Sequence, residues 1–593
     1  MMSFTILFWL VLTLTWPLML VGMTTCTATR AWGCRLSPWA AVPAVILAVF
    51  IGPSETFYFS WLLLGTELGL DDTGHIFLLL TALLWWLAAV YAKGYLPLIE
   101  QARFFSFFNV AMLGNVGLIL AQDMLSFYLF FTLMSFASYG LVVHERHAAA
   151  SYAGKIYIIL VIVGEVALFA ALAWAAVIAE TLSFEFARPV IAQSSLLDWV
   201  ISLALIGFGI KAGVIILHVW LPLAHPVAPT PASAVLSGSM IKAGLLGWLK
   251  LLPLGEALMH SWGGLFITLG LIAAFYAVAV GLMQHDAKTL LAYSSISQMG
   301  VLTAAVGLGL MVPAAWPGIL ATILVYTLHH GLAKGSLFLG VGVLGKCSGH
   351  WRRLAWVGLW LPALALAGAP FTSGMVAKTL LKVQTLHAPD IWSAVFQTLL
   401  PCSAIATALL LGKFLFMLSQ PVSTRKTEPL SVPTLMVPWV VLLMLVASLP
   451  WWPLASETDL WSGDILLDSL WPVMLAGLIM LVSVTRNQWL PRRFAINSPT
   501  FGGQIFSLRI PPGDILAPIE WIIHYILNGA RRLCCDELPH RYQSLQSFLQ
   551  RIRTTIEWQH LIERLEWQLC RWPTALMGFL VLGLILGWGK MSF

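Results

Sequence analysis

Lys211, Lys242, His329, His330, Lys334 and Lys378 all stand inside runs of apolar residues, and His225 sits in a proline-rich stretch close by. An ionisable side chain placed in hydrocarbon costs roughly 2.5–3.5 kcal/mol on insertion scales, so each of these positions is a functional candidate by default. A desolvated lysine gives up its proton more readily than one in water. A row of such groups therefore has the chemistry of a proton relay. Tyr326, His330 and Lys334 are spaced by four, which puts them on one helical face. Lys242, Lys250 and Lys382 also lie within reach of helix ends, where a lysine can snorkel to the interface. His225 can equally be a satisfied turn residue.

The elements that hold these residues follow from composition. The 593 residues are 59 % hydrophobic and 10 % charged, with mean hydropathy +0.87, whereas soluble domains carry nearer 25 % charge. A water-soluble enzyme and a disordered chain are both excluded. The net charge of +6 is scattered through loops and forms no nucleic-acid stripe. Seven cysteines (Cys26, Cys34, Cys347, Cys402, Cys534, Cys535, Cys570) show no CxxC pair and no zinc or cluster spacing. No Walker A run or dinucleotide fingerprint is present, so no cofactor, no metal and no active site for chemistry are expected in the chain.

Apolar runs of about 20 residues place sixteen spans, near 3–23, 38–52, 74–92, 104–121, 124–143, 152–179, 198–217, 227–251, 260–283, 289–311, 314–345, 356–383, 391–418, 433–452, 470–485 and 573–590. The first is read as a retained transmembrane helix. Loop charges alternate between Arg30/Arg35, Lys93/Arg103, Arg146/Lys155, Lys288, Lys346/Arg352/Arg353 and Arg425/Lys426 on one side and Glu55, Glu67, Asp71, Asp72, Glu457, Asp459, Asp464 and Asp468 on the other. Arg188 is the main exception. The rule that basic loops stay in the cytoplasm puts both termini outside. Between Arg486 and Arg571, Leu545, Phe548, Leu549, Ile552 and Ile556, then Leu561, Ile562, Leu565 and Leu569, recur at helical spacing. That stretch reads as an amphipathic lateral helix on the membrane surface or along a partner, or as a tether for the last span.

The spans bearing Lys211 and Lys378 are each interrupted, the first at Pro222 and the second at Pro370. Paired broken spans in two halves of a chain point to an inverted-repeat transporter with a mid-membrane site, and freed backbone groups there require a hydrated path.

These residues carry a resemblance. Lys-Ala-Gly at 211–213, Leu-Pro-Leu-Ala-His-Pro at 221–226, Ala-Pro-Thr-Pro-Ala-Ser-Ala at 228–234, Ile-Lys at 241–242 and Gln284 through Ser295 resemble the antiporter-like membrane subunits of respiratory complex I, membrane-bound hydrogenases and Mrp-type cation/proton antiporters. The similarity is strong over about 100–380. It implies an all-α polytopic fold of two inverted five-helix repeats with flanking helices and a C-terminal lateral helix, as in the large distal-type subunit. The implied division is 1–100 (N-terminal helices), 101–420 (antiporter-like core), 421–485 (additional helices), 486–572 (lateral segment) and 573–593 (terminal span). By resemblance, Lys211 and Lys378 match the two broken-helix lysines, His330 and Lys334 the central axis, and Lys242 the linking lysine of some branches.

One position departs from the pattern. Where the family places a Trp-Glu dipeptide on the fifth helix, whose carboxylate pairs with the first broken-helix lysine, this chain has Phe131-Thr132. Either Glu165, near which some relatives carry an acid, substitutes for it, or Glu165 only packs against Lys155 or Arg146 and the first half-channel is altered. The resemblance thus implies one of two roles. The first is a proton-translocating subunit, with or without sodium exchange, using Lys211, His225, Lys242, His330, Lys334, Lys378 and Glu165. The second is a non-pumping anchor or coupling subunit for a hydrogenase-like, complex I-like or inorganic-carbon uptake module. Both imply other membrane subunits as partners, the lipid bilayer as solvent, no nucleic acid, and a bacterial-type inner membrane. Oxidoreductase activity would belong to the complex and not to these residues.

Overall fold

The computed structural model describes residues 2–420, 432–452, 460–485 and positions 513, 514 and 516. The lateral segment 486–572 apart from those three positions, the terminal span 573–590, and the loop charges Arg425, Lys426, Glu457 and Asp459 lie outside the described residues.

The chain begins with α1 (Met2–Thr25). A segmented span follows, built from α2 (Arg30–Leu36), a 3-10 turn, α3 (Val42–Ile46) and a π turn over Leu47–Ile51. It starts at Arg30 and not near 38, so Arg30 and Arg35 belong to the helix, with Arg35 lying over the Trp32 ring. Next comes an antiparallel hairpin of β1 (Ser54–Phe59) and β2 (Thr66–Leu70), a small addition to the helical plan. Then follow α4 (Asp72–Tyr95), α5 (Leu98–Leu120), α6 (Met124–Val142), α7 (Ala148–Ala179) and a short α8 (Phe184–Ala192).

The first interrupted pair is α9 (Leu197–Ala212) and α10 (Trp220–Val227). Beyond it, α11 (Thr230–Val235), a π turn over Leu236–Met240 and α12 (Lys242–Leu251) form one continuous span. Three long helices follow: α13 (His260–Gly281), α14 (Ala287–Met311) and α15 (Trp316–Lys346). The second interrupted set is α16 (Gly349–Gly358), α17 (Trp360–Ala367) and α18 (Ser373–Gln384). The last described helices are α19 (Asp390–Ser419), α20 (Val432–Ser448) and α21 (Gly463–Thr485).

Helix starts are set locally. The side chains of Asp71, Asp123 and Asp286 accept from Gly74, Ser126 and Thr289 N–H groups at 2.7–2.9 Å, satisfying donors that would otherwise be orphaned at the first turns of α4, α6 and α14. On α7, Ile159, Ile162, Val166 and Phe169 are exposed at helical spacing. An apolar stripe of that kind on the outside of a folded chain fits lipid and not water. Conversely, α14 and the Thr230–Leu251 span are buried along their apolar windows, so the centre of the bundle is where the polar residues of interest collect.

By length and hydropathy, twelve helices among the described residues are fit to cross a membrane. The segments 198–217, 314–345 and 356–383 do not meet that measure, the first and third because they are broken and the second because it carries His329, His330 and Lys334. The chain is a multi-pass membrane protein.

The long helices approach closely where glycines face each other. A Cβ on Gly300 would lie 2.5 Å from the Gly270 carbonyl oxygen and 2.9 Å from the Ala274 nitrogen, so α13 and α14 touch backbone to backbone. Small residues permit this packing in lipid, where there is no hydrophobic drive between helices. We therefore expect Gly300→Val to force the helices apart and cost about 1–3 kcal/mol or more. Gly345→Ala, with nothing within 4 Å of its Cβ, should melt like the unaltered protein in detergent.

Candidate functional site

Around Lys211 the site is aromatic. Helix α9 stops because Gly213 takes a left-handed conformation (φ +77°) and returns its N–H to the Gly209 carbonyl at 2.9 Å. The break therefore spans 213–219 and precedes Pro222. Pro222 instead sits in the first turn of α10, where a missing N–H costs nothing. Lys211, 4 % exposed, occupies the last turn of α9, where a cation complements the helix dipole. Its Nζ donates to Tyr157 Oη at 3.2 Å and stands 5.6–5.9 Å from the ring centres of Phe131, Tyr157 and Trp220. Tyr157 in turn donates to the Ser135 carbonyl at 2.9 Å.

Glu165 is buried on α7 and accepts from Thr132 Oγ1 at 2.5 Å. It pairs with neither Lys155 nor Arg146, and it lies near Lys211 without a direct ion pair. The residue that departs from the expected pattern is thus the one that holds the neighbouring acid.

At the centre, buried lysines rest on backbone carbonyls. Lys242 follows the π turn and donates back to the Ser237 carbonyl at 2.7 Å. Ser237 Oγ and Ser295 Oγ are 2.7 Å apart. Ser295 donates to the Leu291 carbonyl at 3.1 Å, and that same oxygen accepts from Lys334 Nζ at 2.9 Å. Lys242 and Lys334 are therefore joined through two hydroxyls and two carbonyls. One turn before Lys334, His330 is fully buried with neither ring nitrogen hydrogen-bonded to protein. His225, stacked on Phe338 at 4.7 Å, is in the same condition. His329 Nδ1 lies 2.8 Å from Ser373 Oγ at the start of α18. Tyr326 donates to Gln298 Oε1 at 2.7 Å, and Gln298 Nε2 donates to Thr407 Oγ1 at 3.0 Å.

The second break lies at 368–372, with Gly368 at φ +85° and Pro370 inside it. Here Lys378 reaches across from α18 and donates to the carbonyls of Leu366 and Ala367 at 2.9 and 2.8 Å, capping the free end of α17. Lys378 also faces a cavity of about 280 Å³ that Tyr326, Lys382, Gln397 and Asp468 help to line. Lys382 and Asp468 close an ion pair at 2.6 Å across α18 and α21. Lys250 does not snorkel: it is 6 % exposed and bonded to Ala121 and Gln122. Tyr157, Ser135, Ser237, Gln298 and Ser373 were not signalled by the sequence, because a single hydroxyl or amide in an apolar helix looks like any other.

Residues 121–402, which contain every site residue named above except Thr407 and Asp468, match the sequence family described as NADH:quinone oxidoreductase/Mrp antiporter, TM. The match covers 282 of the 593 residues, and over them the chain resembles an antiporter-type membrane core. Over 333 residues the chain is 30 % identical to hydrogenase-4 component B of Escherichia coli (strain K12), covering 52 % of this chain and 50 % of that protein. It is 32 % identical over 338 residues to the putative antiporter subunit mnhA2 of Staphylococcus saprophyticus, covering 52 % of this chain and 42 % of the relative. The chain thus spans about half the length, or less, of these curated relatives. Its fold is that of a chain in the Mrp complex from Dietzia sp. DQ12-45-1b (TM-score 0.70, 21 % identity, 92 % of this chain and 62 % of that one). It is also that of a chain in the membrane-bound sulfane sulfur reductase, an archaeal respiratory membrane complex (TM-score 0.67, 20 % identity, 92 % and 100 %).

The buried lysines of residues 121–402 place different demands on the fold. Removing the Lys334 ammonium leaves the Leu291 carbonyl still bonded to Ser295, so Lys334→Met should melt at the same temperature as the unaltered protein or higher. Removing the Lys378 ammonium uncaps two carbonyls, so Lys378→Met should lose about 1–3 kcal/mol. Thermal unfolding in detergent measures both.

Proposed function

We propose that the chain is the proton-translocating membrane subunit of a multi-subunit complex, with or without exchange for sodium. The observation that carries the reading is the Lys242–Ser237–Ser295–Leu291–Lys334 string, buried between two broken helices that each present a lysine. Lys211, Lys242, Lys334 and Lys378 hold and release protons, and His330, His329 and His225 bridge between them. Each passes a proton only when its ammonium leaves the carbonyl or phenol that holds it. Buried imidazole nitrogens without protein partners are tolerated where water lines the path, which supports a hydrated axis along α15.

Glu165, held by Thr132, acts as the partner acid of Lys211. It favours the charged lysine at longer range than a contact pair and so tunes release without trapping the proton. The two interrupted sets belong to two inverted repeats in this reading, and the division 101–420 for the core and 421–485 for added helices stands with it. The energy comes from partner membrane subunits or from an existing gradient. The relatives' names, a hydrogenase component and antiporter subunits, support assembly into such a complex, and the alternation of loop charges supports a bacterial-type inner membrane with both termini outside.

A second reading, a non-pumping coupling subunit for a partner module, is favoured by one observation, Thr132 in place of the family's acid.

Vesicles containing the intact complex separate the two. Lys211→Ala and Lys378→Ala should each abolish proton or sodium movement, and unchanged flux in both overturns translocation. Glu165→Gln should abolish movement as well, and adding Thr132→Glu should restore it by returning a carboxylate to the neighbouring helix. Wild-type flux in Glu165→Gln while Lys211→Ala is dead removes the pairing role.

A further inference from the structure

A second polar cavity, of about 590 Å³, lies under the β1–β2 hairpin, away from the string of lysines. Glu67, Asp71, Gln122, Glu185, Arg188 and Lys250 line it. Its floor is built. Glu67 N–H donates to Asp123 Oδ2 at 2.9 Å, Gln122 N–H to the Glu67 carbonyl at 2.9 Å, and Phe184 N–H to the Gln122 carbonyl at 3.2 Å. The hairpin, the α5–α6 link and the entry to α8 are therefore tied into one rim. Burial raises the Glu67 carboxyl above its ordinary range, a hydrogen bond from Ser183 opposes this, and Asp123 and Glu185 add to it.

Lys250 is the inner end of this cavity. It belongs to the last turn of α12, and Nζ donates to Gln122 Oε1 at 2.9 Å and to the Ala121 carbonyl at 3.1 Å, with Asp71 Oδ1 at 3.9 Å. Asp71 is also engaged, as the cap of α4. Lys242 stands eight residues earlier on the same helix, about 12 Å along its axis. Lys250 is therefore the ionisable group of α12 between the cavity and the central string.

We infer that the cavity beneath the hairpin is an ion port for the first half of the core, and that Lys250 passes protons between it and Lys242. The inference rests on the translocation reading. In the step, an N–H bond of the Lys242 ammonium breaks and one forms on the neutral Lys250 amine. Because the residues between them on α12 are buried and apolar and Lys242 Nζ bonds back to the Ser237 carbonyl, the transfer requires that ammonium to leave its carbonyl and water to enter beside α12. The Lys250 ammonium then releases its surplus proton to the carboxylates and water of the cavity. A strut would need only the positive charge and its hydrogen bonds, whereas a relay needs a group that can lose its proton. Arginine separates the two, because it keeps the charge and donors but stays protonated.

The test uses the intact complex in vesicles, with assembly checked by size exclusion. Lys250→Arg and Lys250→Met should both lower flux about tenfold or more, as expected for loss of a positioned proton carrier. Gln122→Cys should react with a membrane-impermeant charged thiol reagent supplied on the hairpin side, and flux should fall as it reacts. The parent protein, with its exposed Cys26 and Cys402, sets the background. Wild-type flux in Lys250→Arg, or in fully modified Gln122→Cys, overturns the port. If Lys211→Ala and Lys378→Ala also keep wild-type flux, translocation itself has failed; if those two are dead, only the port has.

Discussion

An ammonium group taken out of water needs replacement for its hydration shell, and in this protein that replacement is mostly the main chain. Lys242, Lys334 and Lys378 each bond to carbonyl oxygens at 2.7–2.9 Å, and Lys211 uses a phenol and three ring faces. Among the described residues no carboxylate forms an ion pair with any of the four. A contact ion pair in low dielectric would hold the proton strongly. Carbonyl dipoles and ring faces hold it less firmly, which suits a group that must let go.

The architecture follows from the need for spare carbonyls. A regular helix commits one lone pair of each carbonyl to its own N–H groups, so wholly free acceptors arise at ends and irregularities, while a carbonyl within a helix, as at Leu291, accepts Lys334 through its second lone pair. The break at 368–372 leaves the Leu366 and Ala367 carbonyls for Lys378, and the π turn at Leu236–Met240 contains the Ser237 carbonyl used by Lys242. Around these irregular segments the bundle must be rigid, and the backbone contact of α13 with α14 through Gly270 and Gly300 provides a firm wall. Serine hydroxyls fill the interval between lysines because they donate and accept at once, as Ser295 does between Ser237 and Leu291.

Much of this was legible in the sequence because charges are rare in apolar runs. Lys211, Lys242, His330, Lys334 and Lys378 announced themselves by residue type alone, and the second break by Pro370. The first break was misplaced because Pro222 is the more conspicuous residue, although Gly213 sets the chain direction and the proline merely starts the next half-helix. Thr132 read as a missing acid, whereas folding reveals it as the donor that positions Glu165. Lys250 lay near a helix end, where sequence reasoning cannot separate snorkelling from burial; only the hairpin and the α5–α6 link decide it. Ser237 carries no sequence signal and Ser295 only closes the Gln284-to-Ser295 run, since their importance comes from meeting 58 positions apart.

The central claim is that buried lysines move protons by losing them, not by lending fixed charge. Proton flux through vesicles containing the intact complex with Lys334→Arg tests it most directly, since arginine preserves the charge and stays protonated. The account predicts that Lys334→Arg is as inactive as Lys334→Met while the complex still assembles. Wild-type flux in Lys334→Arg would contradict it.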